Sequence, residues 1–177
     1  MTTAEYLSKP EAVRPQELAY GVLRVADAPL VPHQRAVGQL YLALAQYLRE
    51  GRSGTVWLST IDVILDVDRA LVVQPDLLVV SDARREIIQD RVRGAPDLVI
   101  EILSPDPRVG TLTEHLRWFG TYGVRECWLV HLLDREIEVI GFGGGAVISR
   151  ELFASNEEIR SAVLEGFGRS LGSIVGY

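Results

Sequence analysis

Apolar residues recur at steps of three and four in two segments of the chain, which is the spacing of an amphipathic helix. The first segment covers residues 32–48 and begins with Pro32, a residue that a helix start tolerates. The second covers residues 109–122 and is followed by Gly123, as is common where a helix closes. The apolar positions on the two predicted helices are Val37, Leu40, Tyr41, Leu44, Leu48, Leu112, Leu116 and Phe119.

Most of the other apolar residues form short runs that predict β-strands. Residues 17–28 alternate enough to indicate a strand or a hairpin, and residues 96–104 are nearly all apolar, as in a strand buried on both faces. Residues 143–145 are three glycines that predict a hairpin turn, and residues 81–94 leave room for a short helix. Further strands are predicted over residues 55–60, 61–66, 71–80, 127–133, 136–141 and 146–153.

The mixture of helices and strands predicts one α/β domain. Residues 1–15 contain Pro10 and Pro15 and indicate a loosely structured N-terminal arm, and residues 16–177 are expected to form the domain. The tail from residue 158 onward is weakly patterned, and we find no repeat, low-complexity tract or linker. A chain of 177 residues is long enough for one domain with a proper core, and two would be crowded.

Composition narrows the protein class. Cys127 is the only cysteine, which excludes an intramolecular disulfide and a cysteine-based metal cluster. The start of the chain has no signal-peptide pattern and no apolar run reaches membrane-spanning length, so we expect a cytoplasmic protein without membrane partners. The net charge of −6 argues against a general DNA-coating role. It leaves a nuclease open, because a bound Mg²⁺ ion would offset acidic residues.

Two acidic residues lie inside predicted apolar strands: Asp76 within residues 71–80, and Glu101 within residues 96–104. Acidic residues are depleted from strands and are almost never buried without a partner. A pair of carboxylates on neighbouring strands offers the hard oxygen ligands that Mg²⁺ requires. Such an ion lowers the pKa of bound water and stabilises charge on a phosphoryl group. The two residues are therefore candidate metal ligands.

A structural role is the alternative for some of these acids. Asp76 and Asp97 each follow a proline, so both are also suited to capping a turn at a strand start. We favour that role for Asp97 and the functional role for Asp76. Glu101 has apolar neighbours on both sides and is the best functional candidate in the chain.

In this order and spacing, four segments resemble the Uma-two family, a branch of the PD-(D/E)XK nuclease superfamily of restriction-endonuclease-like proteins. They are Pro75-Asp76 followed by residues 96–105 (PDLVIEILSP), Glu17-Leu18-x-x-Gly21-x-Leu23, His33-Gln34, and Gly123-Val124-Arg125-Glu126-x-Trp128-Leu129-Val130. The resemblance implies a restriction-endonuclease-like α/β fold, with a mixed central β-sheet flanked by helices. It also implies a Mg²⁺-dependent (or Mn²⁺-dependent) phosphodiesterase site that acts on nucleic acid.

The resemblance also implies roles for individual residues. Asp76 and Glu101 match the two acidic metal ligands, and Glu17 matches a third, more variable acidic position. Dimers are common in this superfamily and a paired cut needs two sites, so we expect a homodimer.

The chain departs from the family in the active site. The superfamily lysine position two residues after the strand glutamate is Leu103, and the position on the following helix where this family has its lysine is His115. Thr111 replaces an acidic residue, and His131 replaces the aspartate after the Trp-Leu-Val strand. Lys9 is the only lysine of the chain, so no lysine near the matched motifs substitutes for the missing one.

Two hypotheses follow. In the first, the chain is a divergent metal-dependent endonuclease in which His115 orients or deprotonates water, and arginines contact phosphates. In the second, it is a catalytically impaired family member that acts through binding, and His115 is a satisfied, partly buried histidine. We assign structural roles to His33 and His131. The arginines considered for phosphate contacts are Arg84, Arg85, Arg91, Arg93, Arg108 and Arg117.

Overall fold

The computed structural model, which describes residues 1–10, 12, 14–103 and 111–176, contains both helices and strands. The elements are α1 (Thr3–Leu7), β1 (Gln16–Ala19), β2 (Val22–Val25), α2 (Val31–Arg49), β3 (Thr55–Leu58), β4 (Val63–Asp66), β5 (Leu71–Val73), β6 (Leu77–Val80), a 3₁₀ helix (Asp82–Ile87), β7 (Val92–Arg93), β8 (Leu98–Leu103), α3 (Leu112–Tyr122), β9 (Glu126–His131), β10 (Glu136–Gly143), β11 (Ala146–Ala154) and α4 (Leu171–Val175).

The strands form two mixed sheets. The larger sheet has the order β11-β10-β9-β8-β6-β3, in which β8 and β9 are parallel and the other neighbours are antiparallel. The smaller sheet has the order β2-β1-β5-β4-β7, with β4 and β7 parallel. The predicted fold class, a mixed sheet flanked by helices in one domain, is confirmed, and the second sheet is an addition to it.

The larger sheet lies between two apolar layers. Leu98, Ile100 and Ile102 of β8 pack with α2 and α4 on one face. Val99 and Leu103 pack on the other face with α3 and the smaller sheet. Both faces of β8 are therefore covered, as its continuous apolar sequence predicts.

Helix boundaries follow local chemistry. Pro32 occupies the first turn of α2, and α3 begins after Thr111, whose hydroxyl accepts the backbone N–H of Glu114 at 3.2 Å. The Glu114 carboxylate accepts the Thr111 N–H in return, at 3.1 Å, which completes a capping box. Gly123 ends α3 with a φ of 96°, a conformation that glycine adopts most readily. Both predicted helices are confirmed, although positions 109 and 110 lie outside the described residues.

The hairpin turn predicted at residues 143–145 is confirmed, and of the strand or hairpin predicted over residues 17–28 the structure has the hairpin. The β1–β2 turn consists of Tyr20 and Gly21, both at positive φ, and the β10–β11 turn contains Gly144 and Gly145.

Residues 71–80 differ from the prediction, because their apolar pattern predicts one continuous β-strand. The structure divides it into β5, in the smaller sheet, and β6, in the larger sheet. Pro75 explains the break, because proline lacks the N–H that a strand ladder needs. The chain crosses between the sheets at this point, and Asp76 lies at the start of the second strand.

The N-terminal segment is a second difference, because a loosely structured arm is predicted over residues 1–15. Residues 3–7 form α1, which has its own capping box between Thr2 and Glu5. Tyr6 is buried, and its hydroxyl donates to Asp62 at 3.0 Å. The Thr3 hydroxyl donates to the carbonyl of Val67 at 2.7 Å, so α1 is fastened to the smaller sheet. The start of the domain at residue 16 stays a prediction.

Within the described part of the chain, every helix is too short or too polar to span a bilayer.

Candidate active site

Asp76 and Glu101 are brought together by strand pairing. β6 and β8 are antiparallel, and Leu77 lies opposite Ile100. Continuing this register by one residue places Asp76 opposite Glu101 at the carboxyl end of β8. Asp76 is buried, and the Glu101 side chain is 17% exposed. The two carboxylates with the strongest sequence signal are therefore cross-strand neighbours.

Asp76 is held in place by two donors on one oxygen. Its Oδ2 accepts the backbone N–H of Ile102 at 2.8 Å and Nε2–H of His33 at 3.0 Å. A carboxylate can only accept here, so His33 carries its proton on Nε2. The other ring nitrogen, Nδ1, is buried and has no hydrogen-bond partner within residues 1–10, 12, 14–103 and 111–176.

His33 is a site residue that we placed in a structural role on sequence grounds. A signal for it was present: His33 precedes Val37 by four positions and so shares the core-facing side of α2. A polar residue at a buried position near a helix start calls for a polar partner, and Asp76 is that partner.

A second group joins Glu17, His115 and Glu101. Nε2–H of His115 donates to Oε2 of Glu17 at 3.1 Å, and Nδ1 lies 3.8 Å from Oε1 of Glu101. Glu17 comes from β1 of the smaller sheet, Glu101 from β8 of the larger sheet, and His115 from α3. The three predicted site residues thus meet between the sheets, with the Glu17 side chain 6% and the His115 side chain 11% exposed.

His115 has a raised pKa. Burial of the ring lowers the pKa, but the hydrogen bond to Glu17 and the negative charges of Glu17 and Glu101 outweigh burial. The net effect raises the pKa of His115 from 6.5 to about 8. In the metal-free protein at neutral pH, the ring is therefore mostly a cation between two carboxylates.

Arg24 is a further charged residue that sequence reasoning missed. It lies opposite Glu17 on β2 and donates two guanidinium N–H groups to Glu114 on α3, at 3.1 and 3.3 Å. The hydrogen bond from Arg24 contributes most to lowering the pKa of Glu114, to about 2. Arg24 therefore ties the hairpin to the helix that carries His115. Its position across from Glu17 in a predicted hairpin is the signal that was available.

Asp97 lies at the other end of β8 and has structural partners. Its Oδ2 accepts the backbone N–H of Ser81 at 2.8 Å, and its Oδ1 accepts from Arg125 at 3.4 Å. Those contacts agree with the structural role favoured for it. The nearby Glu126 is buried as well, and sequence reasoning did not single it out as a buried acid. It accepts from Trp128, Ser161 and the backbone of Ala162.

The remaining candidates are dispersed. His131 ends β9 opposite Leu103, while Arg85 and Arg117 are exposed. Three arginines contact acidic side chains: Arg84 lies 3.6 Å from Asp97, Arg91 3.0 Å from Asp62, and Arg93 3.2 Å from Asp90. Arg108 lies outside the described residues.

The donor set fits a hard divalent cation held partly by water. In the described ranges, no three or more His, Cys, Asp or Glu side chains form a group that would hold a metal ion by themselves. Mg²⁺ commonly uses only one or two carboxylates and keeps several waters. Asp76 and Glu101 supply two carboxylates, and Asp76 is oriented by hydrogen bonds in the way that metal-binding carboxylates usually are.

Comparisons with known proteins identify the family and the fold of the chain. No curated protein gives a significant match. A crystal structure of "a putative nuclease belonging to DUF820" from Anabaena variabilis ATCC 29413 matches with a TM-score of 0.82 and 18% sequence identity. The match covers 99% of this chain and 97% of that chain, and at this identity it shows the fold. A family model, Uma2, with the description "Putative restriction endonuclease", matches residues 3–172. The chain is therefore a member of the Uma2 family.

Proposed function

We propose that the chain is a divergent metal-dependent endonuclease that hydrolyses phosphodiester bonds in nucleic acid. The observation that carries the proposal is the placement of Asp76 opposite Glu101 at the end of the β6–β8 ladder, with His115 beside Glu101. The family description and the name of the structural neighbour, both of which refer to nucleases, support the same reaction class.

Asp76 and Glu101 are the residues that would hold the ion, and Glu17 is placed one step further away, behind His115. A bound divalent cation supplies Lewis-acid stabilisation of phosphoryl charge and activates water. The chain's own contribution is orientation. His33 and the Ile102 N–H fix the Asp76 carboxylate, and Glu17 fixes the ring of His115.

His115 takes the position that a lysine has in the family resemblance. A pKa of about 8 means that it carries a proton at neutral pH most of the time. We therefore assign it the lysine's positive charge in the metal-free protein and not the role of a free base. A ring that is 11% exposed beside Glu101 borders the place where a phosphate would bind.

A non-catalytic binding protein is the second candidate function. Both ring nitrogens of His115 face carboxylates, at 3.1 and 3.8 Å, which is what a purely structural ion pair requires. In that case the acidic residues are remnants of a nuclease site. For either function we propose a cytoplasmic protein that forms a homodimer, and analytical ultracentrifugation would test the dimer.

The test combines metal binding with cleavage. Wild type, Glu101→Gln and Asp76→Asn are titrated with Mg²⁺ and Mn²⁺ by calorimetry, then incubated with labelled duplex DNA, single-stranded DNA and RNA. Glu151→Gln, an exposed strand glutamate on β11, is the matched control. We expect saturable binding and cleavage in wild type and control, and a loss of cleavage of about 100-fold or more in both site variants. Absence of saturable binding in wild type would favour the binding protein.

A further inference from the structure

Tyr20 is an exposed aromatic residue in the two-residue turn between β1 and β2. Its φ is 49° and that of Gly21 is 85°, the pattern of a type I′ turn, whose first position favours asparagine, aspartate or glycine. An aromatic side chain is disfavoured in this left-handed conformation, and the residue is nevertheless 40% exposed. Local backbone preference therefore does not account for the ring, and an exposed tyrosine is a candidate contact for a ligand.

Tyr20 belongs to a row of ring and cation contacts that leads to the candidate active site. The guanidinium carbon of Arg69 lies over the Tyr20 ring, 4.8 Å from its centre. Tyr20 packs perpendicular to the buried Trp118 with ring centres 5.8 Å apart, and Trp118 packs against His115 at 5.3 Å. Two ring contacts thus connect an exposed tyrosine and arginine to the histidine that lies beside Glu101.

An open groove lies beside Tyr20 and Arg69, between the start of α1 and the β1–β2 and β4–β5 turns. Its volume of about 630 Å³ is within the range of about 300 to 1,000 Å³ that ligand pockets commonly have. Val67, which is 56% exposed, adds apolar surface to it. The charged side chains in its described lining are Arg69, Glu5 and Asp68, so negative charge is in excess. Such a groove suits the flat face of a base better than a phosphate group.

We propose that Tyr20 and Arg69 form a stacking platform for an unpaired base, and that the substrate of the candidate active site is single-stranded nucleic acid. This inference rests on the proposed function, because the platform holds the strand that enters the same site. Aromatic rings and guanidinium planes are the surfaces on which the bases of single strands stack.

The fold of the nucleic acid decides whether a base can reach this platform. In a duplex, both faces of a base are covered by its neighbours, so a base stacks on a protein side chain only after it leaves the duplex. A strand advances about 3.4 Å per nucleotide in a duplex and further when it is extended. A base on Tyr20 is therefore only a few nucleotides away from a phosphate beside His115.

The test measures the interaction between the ring and the base. Fluorescence anisotropy in EDTA gives the affinities of wild type and Tyr20→Asn for a labelled oligothymidylate, for an abasic strand of equal length and for a duplex. We expect wild type to bind the oligothymidylate about 5- to 100-fold more tightly than the abasic strand, and more tightly than the duplex. In Tyr20→Asn the preference for bases should fall to about twofold or less. Asparagine is favoured at this turn position, so the variant keeps the turn.

Further variants separate stacking from charge. Tyr20→Phe retains the ring and should retain the preference for bases. Arg69→Gln should reduce that preference by about threefold or more, because a guanidinium plane is lost from the platform. Arg52→Gln is the matched control, since Arg52 lies over the Tyr47 ring at 4.1 Å and Tyr47 packs with α2 and α4. The preference should not change between about 50 and 200 mM salt, whereas contacts to phosphates weaken steeply over that range.

The outcomes distinguish this inference from the proposed function. An equal preference for bases in wild type and Tyr20→Asn, or tighter binding of the duplex by wild type, would overturn the platform and leave the nuclease intact. Binding that depends on Tyr20 without any metal-dependent cleavage would support the platform and overturn the nuclease. Absence of binding to every strand would overturn the platform, and the cleavage assay would then decide the nuclease by itself.

Discussion

The two ends of strand β8 both hold buried acids, but different groups neutralise them. At the amino end, Asp97 and Glu126 accept from backbone N–H groups, an indole, a hydroxyl and an arginine. At the carboxyl end, Asp76 accepts from a backbone N–H and from His33, and Glu101 faces His115. The same strand therefore connects two clusters of similar burial and different chemistry.

The difference separates carboxylates with structural partners from those that we propose to bind a metal ion. A backbone amide or an indole keeps its proton at any physiological pH, so the acids at the amino end are satisfied permanently. An imidazole can lose its proton near neutral pH and can bind a cation instead. Burial alone does not distinguish the two clusters, and the identity of the donors does.

The largest expected effect is at the amino end. Glu126→Gln places an amide N–H₂ against the Ala162 N–H, which Oε2 accepts at 2.8 Å in wild type. A buried donor left without an acceptor should lower the free energy of unfolding by about 3 kcal/mol. Glu101→Gln should cost about 1 kcal/mol or less, because the contact of Glu101 with Nδ1 of His115, at 3.8 Å, is longer than a hydrogen bond. Urea denaturation measures both, and equal costs would remove the distinction between the two ends.

The second effect is a pH dependence confined to the carboxyl end. The folded-state pKa of His115 is raised to about 8 from 6.5, so its stabilisation is fully present below pH 6.5 and is lost as pH rises through 8. The difference corresponds to about 2 kcal/mol. The unfolding free energies of wild type and His115→Gln are measured in EDTA at pH 6 and at pH 9.5. The stability advantage of wild type over the variant should be larger at pH 6 than at pH 9.5 by that amount. A difference that stays constant with pH would contradict the raised pKa.

A smaller effect concerns the start of the helix that carries His115. Thr111→Ala removes the side-chain half of the capping box with Glu114 and should lower the free energy of unfolding by about 1 kcal/mol. Thr113→Ala is the matched control, since it is exposed in the first turn of the same helix and caps nothing. Thermal denaturation compares the two variants. Equal melting temperatures would show that the cap contributes nothing to the placement of α3.

The smallest expected effect concerns the ion pair between Arg125 and Asp97 at the amino end of β8. Arg125 donates to Asp97 at 3.4 Å, but its side chain is 56% exposed and the interaction is screened by water. Arg125→Gln should therefore change the free energy of unfolding by about 0.5 kcal/mol or less, and less still in high salt. A loss above about 1.5 kcal/mol in urea denaturation would mean that the ion pair, and not the Ser81 N–H, satisfies Asp97.

Much of the fold was predictable because local sequence and tertiary structure agree. The stripe from Val37 to Leu48 makes α2 amphipathic, and the continuous apolar run of β8 is buried on both faces. The crossing at Pro75 was not predictable from periodicity, since both halves of residues 71–80 are equally apolar. Helix α1 was missed because five residues are too few for a periodic pattern to emerge.

The acidic residues of the candidate site could be predicted from the sequence, but some of the residues that contact them could not. Asp76 and Glu101 stand out as charges in apolar strands, and the family resemblance indicated Glu17 and His115. The contact between His33 and Asp76 joins residues that are 43 positions apart, and the contact between Glu17 and His115 joins residues 98 apart. Such pairings depend on how helices α2 and α3 pack against the sheets, which no local pattern encodes.

Because the chain crosses between the sheets at Pro75, the candidate site contains residues from both sheets. Glu17 belongs to the smaller sheet and Glu101 to the larger one. The segment just before Asp76 connects β5 of the smaller sheet to β6 of the larger sheet. A fragment that stops before β6 lacks Asp76 and Glu101, and one that begins after β5 lacks Glu17 and His33. Only a piece that includes residues 17–115 retains the complete set, so a minimal version of the site must keep strands from both sheets.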